Sequence, residues 1–376
     1  MKILSIKRSP LDDSAHSWRM LSIARLLQSN GHDVHLVQYT RKSTYEKLKD
    51  KRVDISDISN SIVTVSCLTV HIKHLRELAK DNYDLVFGNS HFGTFLSVLG
   101  RLKRVPLIFD MHGGVEELLL KPGLISIREY PIYMLIEYLN LRLSTKVCCV
   151  SKKMIQHLHS KKGVPLEKMA YVTNGVDLDF FKPANTNHVP TLRKQLGLEN
   201  KFVFGYIGGF QKWQGIENLI EAAKMIDDPE IAFVIVGGDK QSKEENRIFI
   251  PKVPRSQTRD YYSICDVLVL PRPSHPATEI AAPTKFAEYT AAGKPILTTK
   301  VGDAADLVRK YNCGTVVEDN RPECLAEGIT RFVSKGVDGL QDMGRTSRRL
   351  AKSEFDWNMI ANNLLQVLEE VFGASK

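Results

Sequence analysis

Lys285 and Glu288 lie three residues apart in Pro283-Thr-Lys-Phe-Ala-Glu-Tyr289. An ammonium there could neutralise phosphate, and a carboxylate could accept hydrogen bonds from vicinal hydroxyls such as those of a ribose. Together they have the chemistry of a sugar-nucleotide pocket. The flanking sequence supplies elements that would hold them. Asp266-Val-Leu-Val-Leu270 is a short apolar run, read as a buried parallel strand. A proline-rich loop follows, then a helical pattern from Thr284 to Ala292 that Gly293 and Pro295 stop, then a new strand at Ile296-Leu-Thr-Thr299. In a strand–loop–helix of this kind the segment Ala282-Pro283-Thr284-Lys285 presents free backbone N–H groups at the positive end of the helix dipole. A lysine in that first turn opposes the dipole, which suggests that it serves a ligand. The alternative is an ordinary αβ unit in which Lys285 and Glu288 form an exposed i,i+3 pair.

Size and composition suit this chemistry. A chain of 376 residues fits two domains of ordinary size, and 43% apolar with 25% charged residues is typical of a soluble globular protein. No apolar run reaches the roughly 18–20 residues that span a bilayer. Met1-Lys-Ile-Leu-Ser-Ile6 reads as a strand rather than a signal peptide, because Lys7-Arg8 follows at once. The six cysteines, Cys67, Cys148, Cys149, Cys265, Cys313 and Cys324, have no ligand or disulfide spacing and read as small core residues of a cytosolic protein. Charge is divided unevenly: residues 1–180 hold 26 Lys+Arg against 18 Asp+Glu, whereas the remainder holds 26 against 25. The surplus lies at Arg41-Lys42, Lys47 to Arg52, Lys73-His74, Arg101 to Arg104, Lys152-Lys153 and Lys161-Lys162. It fits either an approach to anionic lipid or a phosphate-bearing acceptor, or simply solvated faces. Nucleic acid is not expected, since no binding motif accompanies the charge.

Along the chain, αβ alternation runs twice. Lys2 to Lys7 and Val34 to Tyr39 read as strands around a helix from Trp18 to Gln28, yet the intervening loop has no G-x-G-x-x-G, so no dinucleotide cofactor is expected. Strands are expected at Ile62 to Leu68, Tyr83 to Gly88, Pro106 to Asp110 and Lys146 to Val150, with a long helix over Leu124 to Leu143. Asp110-Met-His-Gly-Gly114 closes one strand at the end where open α/β sheets place ligands, making His112 a candidate against the alternative of a satisfied core histidine. Glu116 and Glu117 could be dipole partners only. Pro183 to Thr191 reads as linker. The second half restarts with the strand Phe202 to Ile207, the glycine-containing loop Gly208-Gly-Phe-Gln-Lys-Trp-Gln-Gly215 and a helix from Ile216, again an anion nest. The strand and turn Ala232 to Gly238 follows, then Val253-Pro-Arg255 ahead of Tyr261-Tyr262.

Pro283-Thr-Lys-Phe-Ala-Glu-Tyr-Thr-Ala-Ala-Gly-Lys-Pro-Ile296, with Asn174-Gly-Val-Asp177 and Phe180, Phe181 and Pro183, resembles the retaining GT-B glycosyltransferases of family four, the glycosyl transferases group 1. It is most similar to the subset with a P-x-K-x-x-E-Y donor motif, and matches run from about Ser5 to Trp357. The resemblance implies two Rossmann-like domains facing across a cleft, residues 1–182 with a returning helix at 358–376 for the acceptor, and residues 183–357 for the donor. It implies transfer of a hexosyl or N-acetylhexosaminyl group from a nucleoside-diphosphate sugar to a glycan, lipid-linked or polysaccharide hydroxyl, with retention and without metal or other cofactor. The donor would meet Gly208, Gly209, Lys212, Arg255, Ala282, Pro283, Thr284, Lys285 and Glu288. Lys285 and Lys212 would stabilise the leaving diphosphate, and His112 would contact the transferred sugar. His16, Arg19 and Asn174 would face the acceptor or cleft, Arg19 having the alternative of an exposed helix charge and Arg255 that of a surface residue.

Two departures stand out. Many members have Arg and Lys where this chain has Gly209 and Gln214, so that Lys212 is the expected substitute. Where the common pattern has a first glutamate, eight residues before Glu288, stands Ile280, with Glu279 one position off. A sugar-nucleotide epimerase on the same scaffold and a non-catalytic sugar-nucleotide-binding protein are the rival readings. The expected setting is cytoplasmic, with association at the cytoplasmic membrane face as the alternative that the basic surplus leaves open.

Overall fold

The computed structural model describes residues 1–8, 11–12, 14–48, 55–64, 68–78, 80–99, 105–120, 128–183 and 189–373. Cys67 and most of the basic runs Lys47 to Arg52 and Arg101 to Arg104 lie outside them, as do residues 124–127 of the expected long helix and 184–188 of the expected linker. The chain divides into two compact units, Met1–Thr173 with Trp357–Lys376, and Asn174–Asp356. Residues 174–182 thus group with the second unit.

The first unit carries β1 (Lys2–Arg8), β2 (Asp33–Thr40), β3 (Ser59–Thr64), β4 (Leu85–Asn89), β5 (Leu107–Met111), β6 (Lys146–Cys149) and β7 (Met169–Tyr171). They form one seven-stranded sheet in the order β3-β2-β1-β4-β5-β6-β7, with every pairing parallel. The strands are apolar on both faces because helices cover both: β4 and β5 are buried throughout. The helix Ala15–Ser29 starts at Ser14, whose hydroxyl accepts from the Ser17 N–H, and Lys152–Lys162 starts at Ser151, which accepts from Met154 N–H at 2.9 Å. The last helix, Trp357–Gly373, buries Ile360, Leu364, Val367, Leu368 and Val371 in the core built around Met20, Leu21 and Leu27. That i, i+4, i+7, i+8 and i+11 spacing is one helical stripe, and it holds the chain's end to this unit.

The second unit carries β8 (Phe202–Ile207), β9 (Ile231–Gly238), β10 (Ser242–Glu244), β11 (Arg247–Pro251), β12 (Val267–Leu270), β13 (Ile296–Thr299) and β14 (Gly314–Val317). Their order is β10-β11-β9-β8-β12-β13-β14, and β10 alone pairs antiparallel. In each sheet the first strand of the unit is flanked by its second and its fourth or later strand, so the order reverses beside β1 and beside β8. Ligands of open α/β sheets bind at such points, beyond the strands' carboxyl ends. Both units are therefore Rossmann-like, as expected. Several boundaries differ from the sequence expectation. The strand expected over Ile62 to Leu68 runs from Ser59 to Thr64, and Leu68–Leu78 is helix. The helix expected from Leu124 is described from Tyr130, with Tyr130 and Pro131 in its first turn. Val189 to Thr191 begin the helix Val189–Gln195 rather than ending a linker.

Candidate functional site

At the carboxyl end of β8 the chain turns at Gly208 with φ +157°. A Cβ there would collide with Lys285 Nζ, so the missing side chain is what admits the lysine. Lys285 arrives from the first turn of the helix Thr284–Ala291, whose N-cap residue Pro283 makes no side-chain cap and whose first turn holds no acid. Its ammonium donates to Tyr206 Oη at 2.8 Å and to Gln214 Oε1 at 3.0 Å, and lies 4.3 Å from the centre of the Tyr206 ring. No carboxylate is ion-paired with it among the described residues. Burial, helped by the charge of Arg272 and opposed by Glu288, brings its pKa down to about 7. A cation held on neutral oxygens next to open helix N–H groups is arranged to receive an anion.

Glu288, one turn on, is 8% exposed. It accepts from Tyr262 Oη at 2.7 Å and pairs with Arg255 Nη1 at 2.9 Å. Lys285 and Glu288 are therefore not an exposed i,i+3 pair; each has its own partners. Arg255 opens the helix Arg255–Ile264 and also covers the Phe181 ring at 5.3 Å, so it belongs to this cluster. Tyr262 is buried, and burial with the Glu288 charge drives its phenol pKa well up, keeping it a donor to the carboxylate. Asn174 Nδ2 donates to the Ala282 carbonyl at 2.7 Å, which fixes the loop that leads through Pro283 and Thr284 to Lys285. Gly209 offers its carbonyl to Tyr206 Oη at 2.6 Å, while Lys212 is exposed in the short 3-10 turn Lys212–Gln214. The position at which the common pattern has its first glutamate holds Ile280, 2% exposed and packed in the interior. Glu279 is used elsewhere: it accepts from Gly302 N–H at 2.9 Å and Ser274 Oγ at 2.9 Å, capping the helix Gly302–Tyr311.

The first unit holds a separate constellation at the end of β5. Asp110 is fully buried, and Arg19 grips it at both oxygens, Nε to Oδ2 at 3.0 Å and Nη2 to Oδ1 at 2.6 Å. The same guanidinium donates to the Val172 and Thr173 carbonyls at 2.8 and 2.6 Å. At 3% exposure Arg19 is neither an exposed helix charge nor directed outward to a ligand; it positions Asp110. Burial alone would raise the Asp110 pKa, but Arg19 and His112 hold it well below the usual carboxylate range. His112 Nε2 stands 2.5 Å from Asp110 Oδ2 and so carries the hydrogen that faces the carboxylate. Its Nδ1 meets Nδ1 of the exposed His16.

Beside this, Glu137 Oε2 accepts from His91 Nε2 at 2.8 Å and from Val115 N–H at 3.0 Å, and Glu137 also pairs with Lys162. Lys162 pairs in turn with Glu116 at 2.8 Å, so Glu116 is more than a dipole partner. Sequence reasoning misses Tyr206, Tyr262, Asp110 and Glu137; a polar residue inside an apolar strand or helix is the signal that could find them. Among the described residues no group of three or more His, Cys, Asp or Glu could hold a metal ion. Cys148, Cys149, Cys265 and Cys313 are buried and free, and Cys324 is partly exposed.

Two parallel-sheet Rossmann-like units with a helix returning to the first define the GT-B class. Solved structures agree: Anabaena HepE in complex with UDP has a TM-score of 0.78 at 18% identity, covering 98% of this chain and 100% of that one. WaaG, a glycosyltransferase involved in lipopolysaccharide biosynthesis, has a TM-score of 0.70 at 18% identity, covering 99% and 100%. The model of glycosyl transferases group 1 matches residues 189–350, and that of glycosyltransferase family 4 matches residues 17–180. Between them the two models match most of both units, one in each, and the chain is similar to glycosyltransferases over both. Among curated relatives, spore coat protein SA of Bacillus subtilis (strain 168) is 27% identical over 60% of this chain and 65% of its own length. The D-inositol 3-phosphate glycosyltransferase of Jonesia denitrificans is 25% identical over 70% and 66%. An uncharacterized glycosyltransferase of Methanocaldococcus jannaschii is 24% identical over 80% of each.

Proposed function

We propose that this chain transfers a glycosyl group from a nucleoside-diphosphate sugar to a hydroxyl acceptor, with retention and without a metal. The observation that carries the proposal is Lys285, whose ammonium sits against Gly208, bonds Tyr206 and Gln214 and, among the described residues, is ion-paired with no carboxylate. In this reading the diphosphate supplies the missing negative charge, held by Lys285 and the N–H groups of Thr284 and Lys285, with Lys212 reaching in from its turn. Glu288 takes the ribose hydroxyls on exchanging its contact with Arg255. As the bond from the anomeric carbon to the diphosphate oxygen breaks, its electron pair leaves with the diphosphate, and those cations stabilise the charge that develops. The acceptor oxygen bonds to the same face of that carbon and its proton passes to the departing diphosphate. His112, aligned by Asp110, contacts the transferred sugar.

A glycan or lipid-linked acceptor at an anionic, cytoplasmic membrane face completes the reading. It is supported by Ile132, Met134, Leu135, Tyr138 and Leu143, all exposed on the helix Tyr130–Leu143, and by the basic surplus of the first 180 residues. No helix among the described residues is long and apolar enough to cross a membrane.

The test is thermal stabilisation by UDP-, GDP- and ADP-sugars, UDP first because the neighbour HepE was solved with it. A ligand at a hundred times its dissociation constant stabilises by about 2.7 kcal/mol. The expected outcome is one responding base, no response in Glu288→Ala, and diphosphate release only with acceptor present. Turnover of the donor without any acceptor would favour the epimerase, and binding without release under all acceptors the non-catalytic reading. Silence across the panel would end the donor-site assignment.

A further inference from the structure

Arg272, in the loop that leaves β12, is a buried cation to which the proposed reaction gives no part. It is 7% exposed. Two contacts fix its loop. Its carbonyl accepts from Thr299 Oγ1 at 2.6 Å, tying it to the end of β13. On the other side Gly215 is pressed against Pro271, so closely that a Cβ at Gly215 would collide with the Pro271 carbonyl oxygen. The turn Lys212–Gln214 and the Arg272 loop are thereby packed together where the strand order reverses between β8 and β12, and Gln214 of that turn bonds Lys285.

We propose that Arg272 is the second cation of the donor diphosphate site, entering from the β12 loop in place of the cations that the glycine loop lacks at Gly209 and Gln214. The assignment rests on the proposed sugar-nucleotide reading of the site. Gly209 has no side chain and Gln214 is neutral, so neither supplies a cation beside Lys285 to face a ligand with at least two negative charges. A guanidinium is the group best shaped to take two phosphate oxygens at once. Arg272 also acts on the charges already there: it disfavours the protonated form of Lys285 and favours ionisation of Tyr206. Arg272 and Lys285 carry like charge and each disfavours the other, and a diphosphate bound by both turns that repulsion into attraction.

The experiment is calorimetric titration of the full chain with UDP, GDP and ADP and with the corresponding nucleosides, for wild type, Arg272→Gln and Arg272→Lys. Lys300→Gln, an exposed lysine paired with Glu318, is the control. Expected is a loss of tenfold or more in nucleoside-diphosphate affinity in Arg272→Gln, a smaller loss in Arg272→Lys, and no change for the nucleoside. A purely structural role would weaken both ligands alike. A second signature is the pH at which diphosphate affinity begins to fall. In wild type it falls as pH rises above about 7, where free Lys285 deprotonates; without Arg272 that onset moves upward. If Arg272→Gln does not fold, Arg272→Met and then Arg272→Lys are read in its place by the same diphosphate-against-nucleoside ratio. Wild-type diphosphate affinity in a folded neutral variant overturns the assignment alone. No binding of any nucleoside diphosphate by wild type overturns the sugar-nucleotide reading, and the assignment falls with it.

Discussion

Replacing Lys285 by Met should stabilise the unliganded protein and abolish donor binding, two effects of opposite sign from one side chain. The Lys285 pKa falls from 10.5 to about 7 in the folded chain, mainly through burial. Every tenfold change in a protonation equilibrium corresponds to ~1.4 kcal/mol, so carrying that charge in the empty site costs several kcal/mol before discounting for partial solvent access. The sign follows from linkage. For a base whose folded pKa is depressed, the penalty is complete below pH 7 and is relieved as pH rises from 7 toward 10.5. Methionine has a stem of similar length and no charge. It gives up the bonds to Tyr206 and Gln214, worth ~1 kcal/mol each, against that larger penalty. Thermal unfolding at pH 6 and pH 9 is the assay, with and without the responding nucleotide sugar. The variant should unfold at a higher temperature than wild type at pH 6, by a smaller margin at pH 9, and show no ligand-induced shift at either. A lower midpoint at pH 6 would refute the reasoning about the uncompensated charge. A ligand shift equal to wild type would refute the role of that charge in binding.

Two further outcomes test the geometry. Gly208→Ala places a methyl group too close to Lys285 Nζ and Cε for the ammonium to stay where it is, so diphosphate affinity should drop by roughly tenfold or more, the scale of one displaced charge-assisted hydrogen bond, while circular dichroism stays unchanged. Unchanged affinity would mean that Lys285 does not need its seat on Gly208. In the first unit, Glu137 would be raised by its burial, but His91 and Lys162 bring its pKa down to about 2. Its contribution is present above the ordinary carboxylate range and lost as pH falls from about 4.5 to 2. Glu137→Gln should therefore lower stability at pH 7 by ~3–5 kcal/mol and flatten the acid limb of the unfolding curve. An acid limb as steep as wild type would show that other groups govern it.

What is legible in the sequence is what is local. The strand–loop–helix units and the placing of Lys285 and Glu288 on one helix announce themselves within a few residues, because a strand's apolar run and a helix's stop signals are short-range features. The partners of those residues are not local. Tyr206 is 79 positions from Lys285 and Tyr262 is 26 from Glu288, and nothing in the pattern of an apolar strand says which tyrosine will turn its hydroxyl to the site. Arg19 illustrates the converse. Its neighbours in sequence suggest an amphipathic helix with a free cation, whereas its carboxylate partner is 91 positions away. The strand β11 gives little sign of itself because Ile248-Phe-Ile250 is short and Pro251 ends it; it forms because parallel pairing with β9 gives it a place. Glu279, one position from the expected glutamate slot, has a reason of its own in the N-terminus of Gly302–Tyr311.

The two units also explain why the donor is assigned to the second. Each has a lysine at its point of strand-order reversal, and the two lysines differ in their counter-ions. Lys7, at the end of β1, is 8% exposed and donates to Ser17 Oγ at 2.6 Å; Ser17 Oγ donates in turn to Asp12 Oδ1 at 2.7 Å. Burial brings the Lys7 pKa down to about 8, and the Asp12 charge works against that fall. That lysine is supplied with a carboxylate by its own chain, through a serine at the start of the helix it faces. Lys285 meets a phenol and an amide instead, and the nearby charge that most affects it is the like charge of Arg272. A site that carries its own anion has little to gain from a diphosphate, and a site with two cations and open helix N–H groups has much. On the proposed reading, the same fold, built twice, has one reversal point where Asp12 answers the lysine and one that a diphosphate completes.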